Sequence, residues 1–140
     1  MRLLKILILC GLLFTANTYA ANMVNLKGAW LGTWTSYKSP EYNGTAKVKL
    51  IQSGNTIKGT GTFSNTKCSP ERIITGKIMP GSRIVHLMVY AKRPRRKISE
   101  SWGVVSLKNN AISFVYTFGK GSKCAGDGGT WFIAKDQPYK

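Results

Sequence analysis

The chain of 140 residues carries 21 Lys+Arg against 5 Asp+Glu, a formal net charge of +16, with 43% hydrophobic and 19% charged residues. That length suits one hydrophobic core and leaves little room for a second domain. The charge excess implies attraction to anions (nucleic acid, acidic glycans, lipopolysaccharide or anionic membrane), and the two cysteines and one histidine that lie beyond residue 20 fall short of the four ligands usual in a structural zinc site.

Residues 1–20 read as a secretory signal peptide. "MRLLK" is a basic start, "ILILCGLLF" an apolar core, and "TANTYA" ends in small residues that fit cleavage after Ala20. The apolar run is shorter than the ~20 residues a membrane-crossing helix needs, so no transmembrane anchor is expected. Cys10 lies in mid-run rather than after a small residue at its end, which argues against lipid attachment. The expected product is a single secreted or periplasmic domain, 21–140, with 19 Lys+Arg against 5 Asp+Glu. Its two cysteines, Cys68 and Cys124, are expected to pair, as an isolated pair in an exported protein most often does.

Beyond residue 20 no stretch has helical periodicity. Short β-branched and aromatic runs alternate with Gly, Pro, Asn and Ser, the pattern of an all-β chain. Eight strands are predicted, at 29–37, 45–52, 55–63, 72–79, 83–91, 98–107, 111–118 and 130–136. Alternation is clearest in the second, where Ala46, Val48 and Leu50 oppose Lys47 and Lys49. In the seventh, Ile112, Phe114, Tyr116 and Phe118 share one face.

Tight turns join strands two to three (Ser53-Gly54), four to five (Pro80-Gly81-Ser82) and six to seven (Lys108-Asn109-Asn110). The other connections, 38–44, 64–71, 92–97 and 119–129, are longer. In an up-and-down meander all the long loops fall at one end. Closure of eight antiparallel strands into a barrel removes both edges and is the expected architecture, with a two-sheet β-sandwich as the alternative.

"GAW" (28–30) or "GTW" (32–34) opens the first strand, "IKGTGTF" forms the third and "GTWFIAK" the last. These segments resemble the calycins, the group of lipocalin- and avidin-type barrels, whose signature is G-x-W. The resemblance implies an eight-stranded up-and-down barrel with an interior able to hold one small ligand. The T-D-Y element of lipocalins is absent, and the residues that hold biotin in avidins do not map onto this chain, so biotin binding is not implied.

The charged run "KRPRRK" sits on the fifth-to-sixth connection. Lys92, Arg93, Arg95, Arg96 and Lys97 lie at the long-loop end, joined there by Lys38, Lys67, Lys120 and Lys123 against Glu41, Glu71 and Asp127. Two readings stand: an anion site built around Arg93, Arg95 and Arg96 with Lys92, Lys97, Lys120 and Lys123, or a solvated hairpin tip kept soluble by its charges. Cys68 and Cys124 fall in long loops at that same end, so their bond would tie two loops over the barrel mouth. Trp30, Trp34, Trp102 and Trp131 either line a cavity or fill a core. His86 stands between Val85 and Leu87 inside a strand, and no catalytic motif, cofactor motif or metal-ligand spacing occurs. The expected function is therefore non-catalytic binding of an anionic polymer or surface. The alternatives are a small molecule held inside the barrel, or a protein partner met by the tied loops.

Overall fold

Runs of alternating apolar and polar residues, broken every eight to ten positions by turn formers, leave strand ladders as the way to pair the backbone. The computed structural model describes residues 23–136; the expected signal peptide, 1–20, lies outside the described residues. The strands are β1 (Gly28–Ser36), β2 (Asn43–Ser53), β3 (Thr56–Phe63), β4 (Glu71–Ile78), β5 (Ile84–Ala91), β6 (Arg96–Val105), β7 (Ala111–Phe118) and β8 (Gly128–Lys135). Each predicted strand is present, with ends within two residues of those expected. They pair antiparallel in chain order, and β1 also pairs with β8, closing the barrel. The sandwich alternative does not form.

Closure explains one glycine of the "GTW" segment. A Cβ on Gly32 would lie 1.7 Å from the carbonyl oxygen of Phe132, so β1 and β8 meet there only because the side chain is missing. The tight turns use backbone freedom as expected, with Gly54 at φ +57° between β2 and β3 and Asn109 at φ +55° between β6 and β7.

The interior divides into two halves. At the closed end, reached by the tight turns, Trp30, Leu50, Ile57, Val85, Ile112 and Ile133 are buried. Leu26 plugs this end, fully buried. Its N–H donates to Gln52 Oε1 at 2.8 Å, and its carbonyl accepts from Trp30 Nε1 at 3.0 Å. At the other end Trp34, Phe63, Tyr116, Phe118 and Trp131 pack together, with Phe114 and Trp131 stacked at 4.1 Å.

One irregularity shapes the charged hairpin. The β5–β6 register shifts after Val89, so that Val89 faces Ser99 while Tyr90 faces Lys97, and the extra residue is Ile98. Ile98 and Ser99 are both buried in consequence. β6 begins at Arg96, two residues before the expected start, so the connection is only 92–95 and Arg96 and Lys97 are strand residues.

Candidate functional site: a basic groove at the disulfide-tied end

The long-loop end is held by specific polar ties. Cys68 and Cys124 are disulfide-bonded, with 6.0 Å between their Cα atoms, joining the 64–70 loop to the 119–127 loop. The Ser36 hydroxyl is 2.9 Å from both oxygens of Asp127, whose Oδ1 also accepts from the Gly128 N–H at 2.7 Å. These bonds fasten the 119–127 loop to β1.

Arg72 fastens the 64–70 loop from below. Its Nε donates to the Ser69 carbonyl at 3.0 Å and its Nη2 to the Cys68 carbonyl at 3.1 Å. Its guanidinium lies 4.1 Å from the Phe63 ring centroid, a cation–π stack. Burial pushes its pKa down to about 10, which still leaves it charged at neutral pH. Its inward position on β4, in phase with Ile74 and Ile78, was a signal of this role that the sequence reading missed.

Between the tied loops and the β5–β6 hairpin runs a groove of about 480 Å³. Five cations line it: Lys67, Lys92, Arg93, Arg96 and Lys123. Glu71 is the one carboxylate lining it, and its Oε2 meets Lys92 Nζ at 3.2 Å. That pair is half-exposed and contributes little to stability. Four cations then remain without a carboxylate partner in the groove. Walls of low dielectric concentrate such a field over the opening.

The seven expected anion-binding residues separate into two sets. Lys92, Arg93, Arg96 and Lys123 come together around the groove, joined by Lys67, which also sits 4.3 Å over the Tyr42 ring. Arg95, Lys97 and Lys120 do not line it. Arg95 turns back toward the Tyr90 ring at 5.7 Å, and Lys97 pairs with Glu100, holding that carboxyl below its usual range. Lys120 is exposed on the 119–127 loop.

The tryptophans separate as well. Trp30 fills the plugged end, while Trp34 and Trp131 line a small cavity under the mouth together with Arg72, Ser99, Ser101 and Tyr116. The space there open to the centre of a water molecule is about 20 Å³, room for one water. A pocket for a drug-sized ligand needs roughly 300 Å³ or more. Trp102, expected with the others as a cavity aromatic, instead stands on the outer wall and is 49% exposed. It stacks on His86, which also faces outward, with ring centroids 4.1 Å apart.

The fold and this groove define a class: a small closed β-barrel, all-β and up-and-down, whose disulfide-tied end carries a cationic groove. Set against protein-family models and curated proteins, the chain matches none. The disulfide suits an oxidising, extracytoplasmic compartment. Among the described residues no helix is long and apolar enough to cross a membrane.

Proposed function

We propose that this chain is a calycin-like, secreted or periplasmic, non-catalytic binding protein whose groove between the tied loops and the β5–β6 hairpin takes an anionic polymer or an anionic surface group. One observation carries the reading: five cations and a single carboxylate gathered around one groove, two of the cations, Lys67 and Lys123, on the loops that the disulfide joins. Arg93 and Arg96 supply planar forks suited to phosphate or sulfate oxygens, and the lysines supply point charges around them. Because the loops are tied before the ligand arrives, little ordering entropy is lost on binding.

The test compares two variants of equal charge. One is Arg93→Gln/Arg96→Gln/Lys123→Gln in the groove, and the other is Lys58→Gln/Lys77→Gln/Lys108→Gln at the closed end. Both are run on immobilised heparin and on DNA across a salt gradient. The groove variant should elute at clearly lower salt than the control, and on duplex DNA the slope of log K against log salt should shrink by roughly 0.9 for each phosphate that the variant no longer neutralises. Equal losses in the two variants would mean that retention is a property of the whole basic surface, and the groove would lose its assignment.

A further inference from the structure

The barrel has two unlike outer walls. Outward positions of β2, β3 and β4 carry exposed Lys47, Lys49, Lys58 and Lys77. The wall formed by β5, β6, β7, β8 and β1 has two cross-strand rows without a formal charge. Register places Ile84, Val104, Ser113, Phe132 and Thr33 side by side in the first. The second holds His86, Trp102, Val115, Thr130 and Thr35. In a chain with 21 Lys+Arg, ten neighbouring outward positions free of charge are an ordered exception.

Large apolar side chains on these rows stand open to solvent. Val104 is 60% exposed, Val115 51%, Trp102 49% and Phe132 47%, with Ile84 close behind at 42%. They surround a depression of about 610 Å³ on the wall. Taking roughly 150–250 Å² for a fully exposed aromatic and somewhat less for the aliphatics, the five expose on the order of 500 Å² of apolar surface. That is near the upper end for the largest apolar patch on a monomer, and such patches mark contact sites. Interfaces between identical subunits are about 65% apolar. A face holding about 500 Å² of apolar surface, rimmed by threonines and a serine, therefore amounts to roughly 800 Å² per subunit, the size of a standard interface.

We infer that this uncharged wall is the interface of a homodimer, with β6 and β7 at its centre. Charge selects the occupant. An acidic protein or an anionic bilayer would be drawn to the groove end and to the lysine wall, neither of which is this face. A second copy carries the same positive excess, and the two can approach only where neither presents a cation. At the edges of the wall Lys97 is paired with Glu100, and Lys77 adjoins His86 across the β4–β5 ladder, so the centre over β6 and β7 is the part farthest from a cation. A two-fold axis would set Trp102 and Val115 of one subunit against the same face of the other, as an isologous contact requires.

The test is the mass of the mature chain in solution across protein concentration, by sedimentation or light scattering, with tryptophan emission as a second readout. Of the four tryptophans only Trp102 is open to water, so association should shift emission to shorter wavelength as the mass doubles. Val115→Lys, outward and half-exposed at the centre of the wall, should weaken the dimer at least tenfold while thermal unfolding shows the barrel intact. Lys58→Glu on the opposite wall should leave dimerisation in place, and both variants should keep heparin retention through the groove. A protein that is monomeric at every concentration overturns the inference, as does a dimer that Val115→Lys does not weaken. A monomer whose Trp102 emission shifts on vesicles of neutral phosphatidylcholine also overturns it, assigning the wall to lipid.

Discussion

Replacing both Cys68 and Cys124 with serine tests how much the tied end depends on its covalent link. The cysteines are 56 residues apart in sequence, and the loop-entropy relation gives about 4 kcal/mol for closing a loop of that length in the unfolded chain. A domain of this size loses roughly 4 °C of melting midpoint per kcal/mol, so the double variant should melt about 15 °C lower. In denaturant the midpoint should fall and the slope should rise, because the unlinked denatured chain exposes more surface. The barrel should still form. Its eight ladders do not involve the bond, and Arg72 and Asp127 still hold the two loops by hydrogen bonds. The groove should suffer more than the barrel, since Lys67 and Lys123 each adjoin a cysteine, and elution from heparin should move to lower salt. A double variant within about 1 kcal/mol of the wild type would refute the loop-closure reasoning.

Two further outcomes follow from the interior. Burial, reinforced by the Asp127 carboxylate, pushes the Tyr116 phenol up to about 12 from a usual value of 10, so in an alkaline absorbance titration one tyrosine should ionise late, and Tyr116→Phe should remove that step. An unfolded chain releases this proton near pH 10 and the folded one near 12, so Tyr116's contribution to stability is present below pH 10 and is lost as pH rises between those values. Gln52→Ala should loosen the plug, because Gln52 accepts from the Leu26 N–H and donates to the carbonyls of Val24 and Gly54. Losing these partners should cost about 1–3 kcal/mol in denaturant unfolding.

Much of the fold was legible because its signals are local. Turn dipeptides such as Ser53-Gly54 and Asn109-Asn110 mark chain reversal wherever they occur, and the division of loops into short and long sets followed from their order. The pairing of Cys68 with Cys124 agreed with that order, since both fall in long loops. What escaped is what depends on phase and on closure. The bulge at Ile98 shifts the alternation of β6 by one residue, so the inward or outward sense of Trp102 cannot be carried along the strand from the hairpin. Arg72 opens the fourth predicted strand, and its parity with Ile74, which turns it inward, is the signal of its buried role. The uncharged wall exists only because β8 returns to β1: Phe132 and Thr33 are about 100 residues apart in the chain and adjacent across the seam. The split of the cations, with Arg96 on the groove and Arg95 turned to Tyr90, depends on side-chain direction where the four-residue connection meets β6.

The plug at the floor of the barrel fixes how the molecule can be held. Asn109 Nδ2 donates to the Met23 carbonyl, Lys135 Nζ to the Asn25 carbonyl, and the Asp136 N–H to Ala29. Both ends of the described chain thus leave from the floor, the full height of the strands away from the groove. Anything joined to either end, whether a resin, a label or a neighbouring module, grips the barrel from beneath. The cationic rim is then displayed outward like the lip of a cup on a stand.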